Sequence, residues 1–127
     1  MDSFVDEICR RGAYATHDAA AHAARSVLSA LGSHLVGDDR TDLASLLPPP
    51  TTPWLTEAVP AHEPLTPAGF LDAVAVGTGT SAEARRAVMA VLPTVAATAE
   101  RPLLRRILTQ LPPGYAPLFG CEDPSRQ

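Results

Sequence analysis

The chain has 127 residues, a formal net charge of −4 and 46% hydrophobic residues. This apolar content is ordinary for a folded protein and excludes a chain that is disordered throughout. The acidic balance makes non-specific binding to the phosphate backbone of nucleic acids a poor expectation, and the absence of lysine excludes Schiff-base and lysine-base chemistry.

The first two helices are predicted from caps and from helical spacing of apolar residues. Ser3 is expected to cap a helix that stops near Gly12. Thr16 is expected to open a longer helix that runs to about Leu35 and is ended by Gly37. Its inward stripe is Ala24, Val27, Leu28, Leu31 and Leu35.

A third helix is predicted before a proline-rich stretch. Asp38 or Asp39 is expected to cap it, and Pro48 forbids its continuation. It is expected to bury Leu43, Leu46 and Leu47. The segment Pro53 to Leu55 is expected to form a short turn or helical element on the core.

The second half begins with a clear helix start. Thr66 is the expected N-cap, with Pro67 at the first helical position. Gly77 and Gly79 are expected to break this helix.

Two further helices are predicted after that break. Thr80 and Glu83 have the spacing of a capping box, and Pro93 is expected to kink the helix or to end it near Leu92. Its buried stripe is Ala84, Ala87, Val88, Val91, Leu92 and Val95. The last helix, from Leu103 to Leu111, is expected to turn inward Leu104, Ile107, Leu108 and Leu111.

The chain repeats itself. The segments Leu47–Leu55 and Leu111–Phe119 share one Leu and three Pro at equivalent positions, and internal repetition of this kind sets the architecture. A unit of about 50 residues buries too little surface to be stable alone. We therefore predict an all-α, single-domain bundle of two three-helix repeats, related by an approximate two-fold axis, over one aliphatic core. The predicted parts are repeat one (3–55), a linker (56–65), repeat two (66–119) and a polar tail (120–127).

These residues resemble a bacterial family, the domain of unknown function 2267 proteins. The resemblance covers about Ser3 to Phe119 and rests on an ordered set of short motifs. They are Phe4-Val5 and Phe70-Leu71 opening each repeat, Arg25-Ser26-Val27-Leu28 and Arg86-Ala87-Val88-Met89, and Leu111-Pro112 followed by Tyr115 and Leu118-Phe119. It implies an all-α fold of two related helical repeats, and it implies no reaction.

Metal-ligand spacing is absent from the predicted helices. His17 and His22 are five residues apart, which places them about 140° apart on a helical wheel. His34 and His62 have no evident partner in the sequence. Acidic residues at a helix start suit the helix dipole and lack the order of a calcium loop; they are Asp38, Asp39 and Asp42. We predict no metal, no cofactor and no catalytic residue.

Aromatic side chains are few, and most are expected in the core. Trp54, Tyr115 and Phe119 are assigned to packing, whereas Tyr14 is expected on a loop surface. Cys9 is expected to be a small buried residue, and Cys121 lies in the predicted tail.

These patterns favour a non-enzymatic cytoplasmic interaction or adaptor module with an unknown protein partner, since no catalytic set converges. Arg101, Arg105 and Arg106 on the last helix are the candidate partner-binding residues. No secretory signal and no membrane span are apparent. The two halves have opposite charge, because residues 1–64 hold 4 Arg and 9 acids (−5) and residues 65–127 hold 6 Arg and 5 acids (+1), and this difference allows contacts between copies in a homodimer.

Two alternatives stay open. The first is a nucleic-acid-binding regulator that uses the basic third helix of repeat two, although the overall charge disfavours nucleic acid. The second is a small-ligand binder or an enzyme with its site between the repeats, near Trp54 and Tyr115.

Overall fold

The computed structural model describes residues 2–35, 37–47, 51–56, 66–99, 101–111 and 115–119. Within these ranges the chain is helical and contains no strand, which confirms the all-α prediction. The elements are α1 (Asp2–Gly12), α2 (His17–Gly32), α3 (Gly37–Leu46), α4 (Thr52–Thr56), α5 (Pro67–Thr78), α6 (Ser81–Thr98), α7 (Arg101–Gln110) and a 3₁₀ helix (Ala116–Phe119). Apart from Thr56, which ends α4, the predicted linker and tail lie outside the described residues, as do His62 and Cys121.

Threonine caps start three of the helices, as predicted. Each hydroxyl oxygen accepts a hydrogen bond from the backbone N–H three residues later, which satisfies a donor that has no partner within the helix. The three pairs are Thr16 with Ala19, Thr66 with Gly69 and Thr80 with Glu83, each at 3.1 Å.

Several helix boundaries differ from the prediction. Helix α1 begins at Asp2, so Ser3 lies inside the helix and not at its N-cap. Helix α3 begins at Gly37, so Asp38 and Asp39 also lie inside their helix.

Helix α2 ends at Gly32, with Ser33 as its C-cap, whereas Gly37 is the first residue of α3. The chain turns at Ser33, whose hydroxyl donates to the carbonyl oxygen of Ala30. Leu35 is buried all the same, and its N–H donates to the carbonyl oxygen of Gly32.

Only one of the two predicted helix-breaking glycines ends α5. Gly79 does so with a φ of +104°, a backbone conformation that costs glycine little. Gly77 lies inside the helix, where its role is close packing. A Cβ atom at Gly77 would lie 2.6 Å from the Ser26 Oγ atom on α2, and the Gly77 carbonyl oxygen accepts a hydrogen bond from the His22 ring at 2.9 Å.

Helix α3 buries a different set of side chains from the predicted one. Leu43, Ala44 and Leu47 are buried, whereas Leu46 is 38% exposed. Successive residues turn by about 100° around a helix, so Leu46 lies outside the arc that Leu43, Ala44 and Leu47 occupy.

Pro93 does not end α6, which continues to Thr98. The predicted stripe of six residues from Ala84 to Val95 is fully buried. Pro93 cannot donate a hydrogen bond to the Met89 carbonyl oxygen. The Met89 side chain is 47% exposed, so this part of the helix faces outward, where water can satisfy the carbonyl group.

Both ends of helix α7 lie within two residues of the predicted ends, Leu103 and Leu111. Ile107 is buried and Leu104 and Leu108 pack against the core, as predicted. Leu103 is also buried, which the sequence pattern did not predict. The short element predicted at Pro53 to Leu55 is α4, which buries Leu55. The 3₁₀ helix follows the second Leu-Pro-Pro and buries Phe119.

The core lies between α2 and α6, which pack against each other. Helices α1 and α5 each contact both of them, α4 packs on α2, the 3₁₀ helix packs on α6, and α3 contacts α7. Both predicted repeats therefore contribute to one cluster of buried side chains. The single-domain boundary and the approximate two-fold axis stay predictions. Of the helices described, none combines the length and apolarity that crossing a bilayer requires.

The burial of Tyr115 is expected to make the folded protein less stable at high pH. Its ring packs edge-on against Phe70, with 5.5 Å between ring centroids, and its hydroxyl donates to the Thr66 carbonyl oxygen at 3.3 Å. Burial raises the pKa of Tyr115 from 10.0 to about 12. The unfolded chain therefore loses this proton first, so the stabilising contribution is complete below pH 10 and is lost as the pH rises towards 12.

The measurement is the free energy of unfolding by urea across that pH range, for the wild type and for Tyr115→Phe. We expect the fall in stability to be smaller in Tyr115→Phe, which has no proton to lose at this position. Equal slopes for the two proteins would contradict the assignment.

Candidate functional site

The three predicted partner-binding arginines lie on the exposed side of α7. Arg106 forms an ion pair with Asp42 of α3, with 3.1 Å between its Nη2 atom and the Asp42 Oδ2 atom. Arg101 and Arg105 are one helical turn apart, and their side chains make no ion pair or hydrogen bond with the part of the chain that the structure describes. The candidate set thus separates into one arginine that links two helices and two that face solvent.

The neighbourhood of α7 bears on the nucleic-acid alternative. Helix α7 contacts α3, whose exposed side chains include Asp38 and Asp42. Carboxylates beside the basic helix would repel a phosphate backbone. The basic third helix of repeat two therefore has less positive charge to offer nucleic acid than its sequence indicates.

Arg86 has a structural role that the sequence reading missed. Its Nε and Nη2 atoms donate to the carbonyl oxygens of Gly12 and Ala13, each at 2.6 Å. Its guanidinium lies over the Tyr14 ring, 4.4 Å from the ring centroid. We call this set, Arg86 with residues 12–14, the Arg86 clasp. It satisfies carbonyl groups at the end of α1 from a helix in the other half of the chain.

The Arg86 clasp corrects the expectation for Tyr14. The side chain is half-buried, and its hydroxyl is buried without a hydrogen-bond partner among the described residues. Burial raises the pKa of Tyr14; the Arg86 charge lowers it in part, and Glu83 adds a smaller upward contribution. No local sequence pattern predicts these hydrogen bonds, because Arg86 lies more than seventy positions from its acceptors.

The histidines do not converge. His17 pairs with Asp6, His22 donates to the Gly77 carbonyl oxygen, and the His34 Nδ1 atom lies 3.0 Å from the Ala30 carbonyl oxygen. Each described ring thus has a partner within the protein. In the described ranges, no group of three His, Cys, Asp or Glu side chains could hold a metal ion. Cys9 is half-buried rather than buried, and its thiol donates to the Tyr14 carbonyl oxygen.

A groove of about 700 Å³ lies where α1, α3 and α6 meet. It is lined by Phe4, Glu7, Arg10, Arg11, Leu46, Leu47, Thr94, Ala97 and Thr98. We call it the α1–α3–α6 groove. Because α1 and α3 belong to the first predicted repeat and α6 to the second, the groove is formed by both halves. It differs from the predicted inter-repeat site, since Tyr115 is buried in the core and Trp54 packs against the core.

Apolar residues line one part of the groove and charged residues line its rim. Phe4 and Leu47 are buried beneath it, and Leu46 is the leucine that α3 leaves 38% exposed. At the rim, the Glu7 carboxylate pairs with both Arg10 and Arg11, the latter at 2.8 Å. Two guanidinium groups share one carboxylate, so the rim has a net positive charge.

The polar side chains that line the groove are partly engaged within the protein. Its Thr94 hydroxyl donates to the Ala90 carbonyl oxygen of its own helix, and its carboxylate is engaged by two arginines. The lining residues that the structure describes therefore contain no free base beside a nucleophile. They do offer an apolar contact next to cationic donors.

A second groove, between α2 and α5, has a volume of about 480 Å³ and is lined mainly by small side chains. Val76 at its edge is 88% exposed, and Arg25 on α2 is also exposed. Neither residue belongs to the α1–α3–α6 groove, so the two provide matched control positions.

A search of curated proteins finds no match to this chain. A family model described as an uncharacterized conserved protein, DUF2267, matches residues 1–118. This span contains every helix from α1 to α7 and the whole α1–α3–α6 groove. The resemblance seen in the short motifs is thereby confirmed, and the chain belongs to the DUF2267 family.

Proposed function

We propose that this protein is a non-enzymatic interaction module that docks a partner protein at the α1–α3–α6 groove. The observation that carries the proposal is the groove itself. It has an exposed leucine, a positively charged rim, and walls from both halves of the chain. In this proposal the protein acts in the cytoplasm.

The energetics favour a protein over a small ligand as the occupant. Complete burial of a leucine side chain contributes about 1.5–3 kcal/mol. Leu46 is 38% exposed, so covering its exposed part contributes about 0.5–1 kcal/mol, and further contacts must supply the rest of the affinity. In specific protein interfaces, a polar rim surrounds such a central apolar contact and excludes water from it. Leu46 with the arginines of the rim has this arrangement on a small scale.

The test is partner recovery from a lysate of the organism that encodes the chain, with the immobilised wild type, Leu46→Arg and the control Val76→Arg. Both leucine and valine are exposed, so neither substitution should alter folding, which circular dichroism would verify. We expect a protein that wild type and Val76→Arg retain and that Leu46→Arg loses, because the partner loses its apolar contact with Leu46 and must cover a charged group instead.

Recovery of the same proteins by all three baits would contradict docking at this groove. Turnover of a defined metabolite by the purified protein would contradict the non-enzymatic assignment.

The nucleic-acid alternative rests on Arg101 and Arg105, which are exposed and one turn apart on α7. It has less support, since Arg106 is paired with Asp42. Nucleic acid retained by the wild type in the same recovery experiment, and lost on Arg101→Glu with Arg105→Glu, would favour it over the adaptor role.

A further inference from the structure

We infer that the occupant of the α1–α3–α6 groove is an acidic segment of the partner protein, which places a large apolar side chain on Leu46 and a carboxylate on Arg10. This inference rests on the proposed function and specifies the chemistry of the partner. It follows from two features of the groove, one apolar and one charged.

The apolar feature is Leu46 and its surroundings. The side chain is 38% exposed at the end of α3, with Phe4 and Leu47 buried beneath it and Ala97 exposed across the groove. A leucine or aromatic side chain of a partner would remove the exposed face of Leu46 from water without displacing a core residue. A wholly polar segment would make no apolar contact with the exposed face of Leu46.

The charged feature is the unequal pairing at the rim. The Glu7 carboxylate serves both Arg10 and Arg11. The Arg10 side chain is 75% exposed, so most of its N–H donors remain open to solvent and to a second carboxylate. The groove therefore has a local positive charge within a chain of net charge −4, which selects an acidic segment over a basic one.

The opposite wall offers a hydrogen-bond acceptor. The Thr98 hydroxyl donates to the Thr94 carbonyl oxygen at 2.9 Å, which leaves the lone pairs of the Thr98 oxygen for an N–H donor. A peptide segment supplies such a donor, whereas a nucleic-acid backbone supplies acceptors. One surplus charge beside an exposed leucine is also too little for phosphate-backbone binding.

The probe is a fluorescently labelled peptide of roughly four helical turns, with leucine at helical spacing and glutamate between. Two matched peptides replace every glutamate by lysine or every leucine by serine. Binding is measured by fluorescence anisotropy against the full chain. We expect the acidic apolar peptide to bind, and both matched peptides to bind at least about tenfold more weakly.

The protein variants assign this binding to the groove. Leu46→Ser should weaken binding of the acidic peptide severalfold. Arg10→Ser should also weaken this binding severalfold, and it should reduce the salt dependence of binding. The controls Val76→Ser and Arg25→Ser remove an exposed apolar and an exposed cationic side chain from another surface, and they should leave binding unchanged.

Equal binding of the acidic and lysine peptides, or no binding of the acidic one, would overturn the inference. If Leu46→Arg still loses its lysate partner in that case, the docking role survives and only the chemistry of the occupant is wrong. Self-association of the chain, or binding to anionic phospholipid vesicles, that Leu46→Ser abolishes would also overturn it, because another occupant would then fill the groove.

Discussion

Leu28→Ala and Val88→Ala are each expected to lower the free energy of unfolding by about 2–5 kcal/mol. Leu28 on α2 and Val88 on α6 are both 0% exposed, and these two helices pack against each other in the centre of the core. Truncation of either side chain removes apolar contacts and leaves a cavity that close-packed neighbours only partly fill. The measurement is urea unfolding followed by circular dichroism.

Met89 supplies the matched control for Val88. It is the next residue of α6, yet its side chain is 47% exposed, so Met89→Ala should cost less than about 1 kcal/mol. A loss well below 1 kcal/mol for both core variants would show that the inward faces of α2 and α6 are misassigned. If Met89→Ala lowered the free energy of unfolding by a large amount, burial alone would not explain how much each of these positions contributes to stability.

Arg86→Ala is expected to destabilise the protein by about 2–3 kcal/mol, because hydrogen bonds from a charged donor contribute about 1.5–3 kcal/mol each and this side chain is 39% exposed, which reduces the total. The change leaves the carbonyl oxygens of Gly12 and Ala13 without their donors and removes the cation over the Tyr14 ring. It therefore separates α6 from the end of α1.

Arg85 is the control for Arg86. It precedes Arg86 in the chain and is exposed, and its side chain makes no ion pair or hydrogen bond with the described residues. Arg85→Ala should change the free energy of unfolding by less than about 0.5 kcal/mol. Arg86→Lys should recover only part of the loss, since an ammonium group cannot reproduce two fixed N–H donors. Equal effects of Arg85→Ala and Arg86→Ala would contradict the clasp.

Together these results would distinguish residues that stabilise the helical bundle from surface residues that bind a partner. The core substitutions and the Arg86 clasp affect folding, whereas Leu46 and Arg10 lie at an exposed groove and should affect only binding. A variant that fails to dock while it unfolds like the wild type is the most direct evidence for a binding role. Leu46→Arg and Leu46→Ser are designed for this comparison.

The helix starts and the buried face of α6 could be predicted from the sequence, because they depend on residues that are close together in the chain. Thr16, Thr66 and Thr80 each bond to an N–H three positions away, so residue type and spacing are enough to predict these starts. The buried stripe of α6 follows the same reasoning, because a long helix with one apolar face has one way to turn it inward. The family resemblance also came from short motifs in order along the chain.

Only the tertiary structure decided the surface. The sequence pattern predicts that Gly77 breaks a helix, but Gly77 lies inside α5, and its missing side chain lets Ser26 of another helix approach closely. Leu46 is exposed because α3 turns its neighbours inward, and Arg86 bonds to residues 74 and 73 positions away. Such pairings depend on the crossing of helices distant in sequence, which local propensity does not encode. The groove where α1, α3 and α6 meet exists for the same reason, so the sequence predicted the helices but not the site between them.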